Sequence, residues 1–275
     1  MISPEFSTGL TLVLYSLALG TGFAGLLARQ PAWRKCGCVL AVTAFACQTL
    51  TLALGFHKAL PDGLSVGAYF QLMAWFVVLC GSIAWAKMRQ ESTLIFAALL
   101  GCLLFLLSTP YLTSVVRVPT FLSTPFYALH IGALFLSLAL LAMAFAAGGI
   151  FLFLESRIKS KRSVKGFWKD MPALSLLDKV NAFTVLTGYP LYTLGIFSGI
   201  VWAKPAFGAF MTGDPKEVLS IIIWLLFSLL FYNRLTRNWK GRKPAQCAVG
   251  IFFLCLFSIL VVNTLMPSHH AFVRN

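Results

Sequence analysis

Four histidines are the side chains in this sequence best suited to coordination or proton transfer. They are His57, His130, His269 and His270, and each lies near an end of a long apolar segment. A neutral imidazole can bind a metal ion, ligate a haem iron or relay a proton. An imidazole at a membrane boundary can also simply anchor a helix end in the polar interface. Which of these applies depends on the elements that carry the histidines.

The composition is that of a membrane protein. Hydrophobic residues make up 59% and charged residues 11% of the 275 residues, whereas a soluble domain averages about 25% charged residues. Mean hydropathy is +0.85. We therefore expect an all-α, polytopic membrane protein in which residues 1–275 form a single membrane domain. The net charge of +14 is interpreted through membrane topology, with no nucleic-acid partner expected.

Apolar windows of about 20 residues, the length that crosses a bilayer, predict eight transmembrane helices. The predicted spans are 8–28, 36–56, 66–86, 93–113, 126–154, 181–203, 217–233 and 244–267. Residues 1–125 thus carry helices 1–4, and residues 126–275 carry helices 5–8. The fifth helix is longer than a bilayer needs, so it should tilt or project.

Two further features of the chain have simple interpretations. The start, "MISPEF", has no basic residues, so we expect no cleaved signal peptide. The seven cysteines lie in or beside apolar segments and are expected to be small buried hydrophobic residues.

The basic residues are distributed unevenly between the two sides of the membrane. The predicted loops after helices 1, 3, 5 and 7 contain 17 Lys and Arg residues, and the opposite side contains 5. The positive-inside rule places the richer side in the cytoplasm and both termini on the extracytoplasmic side. All four histidines then belong to extracytoplasmic helix ends.

This shared position narrows the chemistry. A zinc or copper site should add carboxylates or cysteines, and a proton-driven transporter normally has an ionisable group near the bilayer midplane. The outer side offers few carboxylates, and no ionisable group lies deep within a predicted span. Haem suits the residues better, because it needs imidazole ligands, aromatic walls and basic partners for its propionates. From spacing alone, haem ligation and interfacial anchoring both remain open.

Other residues at the predicted outer ends could complete a haem pocket. The candidate aromatic walls are Phe126, Tyr127, Trp202, Phe207 and Phe210. The candidate propionate partners are Lys58, Arg117, Lys204 and Lys216. His57 could ligate a second haem or line the pocket. His269 and His270 cannot both face one pocket, because consecutive helical residues are about 100° apart.

The C-terminal half of the chain resembles the cytochrome c assembly family, haem-handling membrane proteins that include CcsA, CcmC and HemX. The resemblance rests on "GDPKEVLSIIIW" (213–224), "RNWKGRKPA" (237–245) and "VNTLMPSHHAF" (262–272). The first matches the family's loop that ends in Asp-Pro-Lys-Glu before a Trp-containing helix. Residues 126–159 resemble the family's helix that carries the first histidine ligand.

The resemblance implies bis-histidine ligation of a haem b at the outer face. His130 is the counterpart of the first ligand, and His270, seven residues after Asn263, is the counterpart of the second. Two imidazoles give a six-coordinate iron suited to holding haem rather than to oxygen chemistry. Asp214 belongs to the matched haem-binding loop. With Pro215 after it, we expect Asp214 to act in starting a helix rather than in catalysis.

The departures from the family pattern also indicate a function. The loop tryptophans are replaced by Phe207, Met211 and Gly213, and Tyr232 stands where CcsA-type proteins have a histidine in helix 7. An aromatic residue at a helix end is typical of an interface anchor. These departures favour the HemX-like branch, which is associated with haem biosynthesis and its regulation.

We therefore expect a haem-binding, non-enzymatic, multi-pass protein of the bacterial inner membrane that passes haem on or senses it. The expected partners are haem, the lipid bilayer, and either a second membrane protein of cytochrome c assembly or a haem-biosynthesis enzyme. The alternatives are a CcsA-type component that delivers haem to apocytochrome c, a transporter of haem or another small molecule, and a haem b quinone oxidoreductase.

Overall fold

Helices account for almost all of the described structure. The computed structural model describes residues 4–59, 64–112, 115–116, 125–161, 171–211 and 213–259. Its helices are α1 (Pro4–Leu27), α2 (Pro31–Ala59), α3 (Val66–Met88), α4 (Glu91–Ser108), α5 (Pro125–Lys159), α6 (Leu174–Phe207), α7 (Pro215–Thr236) and α8 (Arg242–Phe257). A 3-10 turn at Thr109–Tyr111 follows α4, and the two-residue strands β1 (Leu64–Ser65) and β2 (Val115–Val116) pair antiparallel. The all-α prediction is confirmed for these residues.

Seven of the helices, α1 to α7, are long and apolar enough to cross a membrane. α8 is described for 16 residues, and residues 260–267 of the predicted eighth span lie outside the described residues. The eighth crossing and the sidedness of the termini therefore stay predictions. α5 has 35 residues, about 52 Å at about 1.5 Å per residue, which confirms that it exceeds the roughly 30 Å hydrocarbon core.

The chain divides into two compact units. The first unit comprises Met1–Arg117 with Arg157–Pro172, and the second comprises Val118–Ser156 with Ala173–Asn275. The first unit thus contains α1 to α4, and the second contains most of α5 together with α6, α7 and α8.

In the first unit, paired helices approach each other through small residues. A Cβ atom at Gly37 of α2 would lie 2.6 Å from the Cα of Gly22 in α1. A Cβ at Gly81 of α3 would likewise collide with the side chain of Ala97 in α4. Lipid chains are as apolar as leucine, so helices in a bilayer gain by backbone proximity and close packing rather than by leaving water. Glycine permits that proximity.

A buried polar group in the first unit links three helices. The hydroxyl of Tyr15 in α1 donates to Oε1 of Gln48 in α2 over 2.6 Å, and Nε2 of Gln48 donates to the carbonyl of Gln71 in α3 over 2.8 Å. All three residues are buried. A polar group in an apolar interior is costly without partners, so these bonds fix which faces of α1, α2 and α3 meet.

In the second unit, α5 and α6 pack along a line of glycines in α6. The hydroxyl of Ser137 in α5 donates to the carbonyl of Gly188 over 2.7 Å. Two turns further along α6, a Cβ at Gly195 would lie 2.6 Å from Cγ of Leu134. The residue numbers fall in α5 as they rise in α6, so the two helices run antiparallel along this line.

Aromatic side chains hold α7 against α6. Nε1 of Trp224 donates to the hydroxyl of Thr193 over 3.0 Å, and the rings of Trp224 and Tyr189 stack with centroids 6.3 Å apart. Phe227 and Phe231 also contact Tyr189, at centroid distances of 5.7 Å and 4.8 Å. Ring contacts of this kind contribute about 0.5–1.5 kcal/mol each beyond area burial.

An ion pair lies at the opposite end of α6 from its glycine-rich half. Nη2 of Arg234 in α7 is 2.9 Å from Oδ1 of Asp178 and 2.5 Å from Oδ1 of Asn181, both in α6. Nη1 of Arg234 donates to the carbonyl of Trp239, and the N–H of Gly241 donates to Asp178. The Arg234 side chain is 3% exposed. This cluster ties the turn before α8 to α6 and α7.

The same ion pair explains why the predicted sixth and seventh spans are too short. The spans 181–203 and 217–233 stop where Asp178 and Arg234 lower the hydropathy of a window. The helices continue through both residues, because each charge has the other as its partner and neither is left unpaired in an apolar interior.

The cysteines are not uniformly buried. Cys38, Cys80 and Cys255 are buried, whereas Cys36 and Cys247 are exposed. The prediction of burial is therefore wrong for the last two, because apolar helix sides in a membrane protein can face lipid as well as other helices.

Gly37→Ala should weaken the contact between α1 and α2. Its Cβ would meet backbone atoms, which cannot move as a side-chain tip can, so we expect a loss of about 1–3 kcal/mol. Gly55→Ala is the control, because a Cβ there has nothing within 4 Å and alanine favours a helix by up to about 1 kcal/mol. Thermal unfolding in detergent measures both, and equal Tm values would contradict the prediction.

Asp178→Ala should destabilise the second unit by about 3–5 kcal/mol, because it leaves the buried Arg234 guanidinium without its carboxylate. Arg242→Ala is the comparison, since Arg242 is 53% exposed and its Nη1 is 3.6 Å from Oε2 of Glu155. Exposed pairs contribute about 0–1 kcal/mol. Denaturation of both variants in the same detergent measures the loss in the free energy of unfolding. Similar losses would show that the buried Asp178–Arg234 pair stabilises the protein no more than an exposed pair.

Candidate functional site

His130 lies in the second turn of α5 and contacts α6. Its Nδ1 is 2.6 Å from the carbonyl oxygen of Gly195. A carbonyl oxygen only accepts hydrogen bonds, so Nδ1 carries the proton and donates it. In the neutral ring, the lone pair is then on Nε2. An imidazole that ligates a metal usually has this arrangement, with its other N–H bonded to a carbonyl or carboxylate.

Gly199 gives the imidazole its place against the α6 backbone. A Cβ at this position would lie 2.5 Å from Cε1 of His130 and closer still to Nδ1. Gly195 and Gly199 are four residues apart and so lie on one side of α6. The ring is therefore in direct contact with the helix backbone on that side.

An aromatic pair lies one turn from this contact. The rings of Tyr127 in α5 and Trp202 in α6 have centroids 5.0 Å apart and an interplanar angle of 40°. Tyr127 precedes His130 by three residues, and Trp202 follows Gly199 by three, so both share the helix faces that meet at the imidazole. Tyr127 and Trp202, which the sequence proposed as walls, are thus brought together beside His130.

The turn between α6 and α7 begins at Gly208. Gly208 caps α6 with a φ of +80°, and its N–H donates to the carbonyl of Lys204. Nζ of Lys204 lies 4.6 Å from the centroid of the Phe210 ring, and both side chains are exposed. Lys204 and Phe210 therefore form a surface cation–π pair at this end of α6.

The Asp-Pro-Lys-Glu tetrapeptide forms the start of α7. Oδ1 of Asp214 accepts from the N–H of Lys216 over 2.8 Å, and Oε2 of Glu217 accepts from the N–H of Gly213 over 3.1 Å. Pro215 occupies the first turn, where no intrahelical N–H is needed. The prediction that Asp214 starts a helix is confirmed. Asp214 is buried, so the cap is a fixed part of the fold.

Lys216 follows this cap and lies within electrostatic range of His130. Its side chain is half-buried. Among the proposed propionate partners, Lys216 is the one for which the described residues give a link to His130.

Six proposed site residues cannot be placed in this way. Arg117, His269 and His270 lie outside the described residues. His57 and Lys58 are in the last turns of α2 and Phe207 is the last residue of α6, but the side chains of these three lie outside the described part. The second axial ligand therefore stays a prediction.

Tyr232, which takes the place of a histidine in CcsA-type proteins, has an exposed side chain on α7. The guanidinium of Arg237 lies 5.9 Å from its ring centroid. An exposed aromatic ring next to a cation near a helix end is the arrangement expected of an interface anchor.

Sequence reasoning missed Gly195, Gly199 and Ser198. Ser198 is buried, and its hydroxyl lies 3.0 Å from the same Gly195 carbonyl that His130 contacts. The spacing of Gly188, Gly195 and Gly199 by seven and four residues was the available signal, because small residues so spaced mark a close helix contact. The spacing does not indicate which side chain meets that face.

The fold and this site define a class, an α-helical multi-span membrane protein with an imidazole positioned by a neighbouring helix backbone. The model of the cytochrome c assembly protein family matches residues 64–270, so the chain belongs to that family.

Several relatives are named cytochrome c biogenesis protein CcsA. The chain is 33% identical to that of Prochlorococcus marinus (strain NATL1A) over 121 residues, covering 44% of this chain and 38% of the relative. It is 38% identical to that of Mesostigma viride over 97 residues, covering 35% and 32%. For Picosynechococcus sp. (strain ATCC 27264 / PCC 7002 / PR-6) the identity is 40% over 96 residues, covering 35% and 28%.

The aligned stretches thus span about a third of the length of these relatives. The HemX-like branch favoured by the sequence receives no support from them, and the CcsA-type interpretation is better supported. The HemX interpretation rested on a few replaced positions, whereas the similarity to the CcsA relatives extends over 96 to 121 residues.

Asp214→Ala should destabilise α7 by about 0.5–2 kcal/mol, because it removes the side-chain acceptor at the helix start. Asp214→Asn should remain within a few tenths of a kcal/mol of the natural protein, since asparagine caps about as well. Thermal unfolding in detergent distinguishes them. A loss with Asn as large as with Ala would mean that the charge of Asp214, rather than its capping bond, is needed.

Proposed function

We propose that this protein is a CcsA-type haem-handling component of cytochrome c assembly that holds haem through Nε2 of His130. The observation that carries the proposal is the bond from Nδ1 of His130 to the carbonyl of Gly195. In the neutral ring this bond puts the lone pair on Nε2, which is the state that ligates haem iron.

The residues around His130 fit a haem. The adjacent rings of Tyr127 and Trp202 supply apolar surface for the macrocycle. Lys216, whose charge acts on the imidazole, is suited to pair with a propionate, and Lys204 lies near the end of α6. When bound, the haem is the cargo, and the residues of this chain bind it, orient it and limit its contact with water.

The second ligand in this proposal is His270, with His57 and His269 as the remaining imidazoles. Bis-histidine ligation suits a haem b that is held for transfer. The uneven distribution of basic residues supports a site on the extracytoplasmic side, which is where apocytochrome c would meet haem.

The proposal includes partners that the chain itself does not supply. The relatives are named for cytochrome c biogenesis, so we propose that a second membrane protein presents the apocytochrome while this chain presents haem. The protein is then a haem-binding component rather than a complete enzyme. Its membrane would be the bacterial inner membrane, although relatives in plastids make the thylakoid an equivalent location.

His130→Ala should remove an axial ligand. We expect haem affinity to fall at least roughly tenfold, which is about 1.4 kcal/mol, together with loss of the six-coordinate absorption spectrum. Haem titration of the purified full chain, with a pyridine haemochrome assay, measures both. His269→Ala is the control and should keep the spectrum. An unchanged spectrum in the His130 variant would overturn the assignment of His130 as ligand.

A cellular test separates cytochrome c assembly from control of haem biosynthesis. In cells that depend on this protein, His130→Ala should abolish covalent haem attachment to a reporter cytochrome c, detected by in-gel haem staining. Total cellular haem should stay unchanged. Altered total haem with normal attachment would instead support the HemX-like function.

A further inference from the structure

Two residues on one side of α6 contact the His130 ring, and a hydroxyl on the same side bonds to an acceptor that the ring uses. The carbonyl of Gly195 accepts from Nδ1 over 2.6 Å. The backbone of Gly199 lies against the ring. The hydroxyl of Ser198 is within 3.0 Å of the Gly195 carbonyl and 2.7 Å of the Leu194 carbonyl. We call Gly195, Ser198 and Gly199 the imidazole seat.

Gly199 fixes where the ring can be. A methyl group at this position would lie 2.5 Å from Cε1 of His130, well inside van der Waals contact. The imidazole is a rigid ring on only two side-chain torsions, and the helix backbone cannot yield, so the ring would have to turn away. Turning it away breaks the bond to Gly195 and moves Nε2.

Ser198 competes for the acceptor that His130 uses. Its hydroxyl has one proton, which it donates to Leu194 or to Gly195. Whenever the proton points to Gly195, that carbonyl has less electron density available for Nδ1–H. The strength of the His130 bond therefore depends on a hydroxyl that does not itself contact the imidazole in any described hydrogen bond.

We infer that the imidazole seat is the positioning element of the site, in which Gly199 sets the orientation of His130 and Ser198 tunes its donor strength as an iron ligand. The inference rests on the proposed function, because it assigns roles with respect to a haem bound at Nε2. A partner on the second ring nitrogen of a ligating histidine orients the ring and raises its basicity, which is the effect assigned to the seat.

Gly199→Ala tests the orientation. The purified full chain is titrated with haem, and the absorption and EPR spectra are recorded. We expect haem affinity to fall roughly 10- to 100-fold, the usual effect of losing such a partner, with loss of the wild-type six-coordinate signature. Added free imidazole should restore a six-coordinate spectrum, because the pocket remains and only the ligand is displaced. A wild-type spectrum and affinity would overturn the inference.

Two glycines provide matched controls. Gly132→Ala is on α5 beside His130, where a Cβ meets nothing within 4 Å. Gly188→Ala is on the same side of α6 and meets Cζ of Phe227 at 3.2 Å, so it perturbs packing without reaching the imidazole. Both should keep the wild-type spectrum and affinity. Loss of the spectrum in Gly188→Ala equal to that in Gly199→Ala would overturn the inference in favour of a general packing effect.

Ser198→Ala tests whether the Ser198 hydroxyl affects the strength of His130 as an iron ligand. It also tests the inference if Gly199→Ala does not fold. With the hydroxyl removed, Nδ1–H of His130 no longer shares the Gly195 carbonyl with Ser198, so its hydrogen bond becomes stronger. The imidazole then donates more electron density to the iron through Nε2, which favours the ferric state. We expect a more negative midpoint potential with an unchanged spectral type. Ser137→Ala is the control, because that buried hydroxyl also donates to an α6 carbonyl, at Gly188. Equal potentials for wild type and Ser198→Ala would overturn the tuning.

The His130→Ala spectrum distinguishes this inference from the proposed function. If His130→Ala loses the six-coordinate spectrum while Gly199→Ala and Ser198→Ala match wild type, the seat is wrong and His130 remains the ligand. If His130→Ala itself keeps the spectrum, the proposed ligand is wrong. In that case ¹⁵N-histidine NMR of the haem-free protein still tests the seat, which requires a protonated Nδ1 in wild type and its loss in Gly199→Ala.

Discussion

The close approach of helix backbones at glycine is the constraint on which the rest of this structure depends. In a bilayer, helices gain little by burying apolar side chains, and their association relies on close packing. Gly22 with Gly37 gives that contact in the first unit, and Gly188 and Gly195 give it in the second. On the same side of α6, Gly199 leaves room for the His130 imidazole, so that helix packing and the candidate site share one surface.

A polar side chain in the interior needs a hydrogen-bond partner. Tyr15 pairs with Gln48, and Nη2 of Arg234 pairs with Asp178 and Asn181, because an unpaired polar or charged group is costly there. His130 meets this requirement with one nitrogen, at Gly195. An imidazole has two nitrogens, so satisfying the first defines the chemistry available to the second.

Some residues of the family's Asp-Pro-Lys-Glu pattern stabilise the start of α7, and another is a candidate for binding haem. Asp214 and Glu217 bond to backbone N–H groups at the start of α7, which explains why the tetrapeptide stands at this point without giving it a catalytic role. Lys216 between them is the member whose charge acts on His130. The tetrapeptide thus begins α7 and supplies this lysine.

The sequence by itself determined the class of protein, the helices and the identity of the candidate ligand. Apolar windows are set by local composition, so they located seven spans that the structure confirms, and His130 stood out because histidine is rare in this chain. The predicted sixth and seventh spans were too short at Asp178 and Arg234. A hydropathy window counts these residues as two separate charges, whereas in the fold they form one ion pair. Only the tertiary structure decided which nitrogen of His130 is free, since that depends on Gly195, Ser198 and Gly199, some 65 to 69 residues away in the chain. Hydrogen bonds and close contacts are made between helices, and the periodicity of one helix does not specify which side chain of another will meet it.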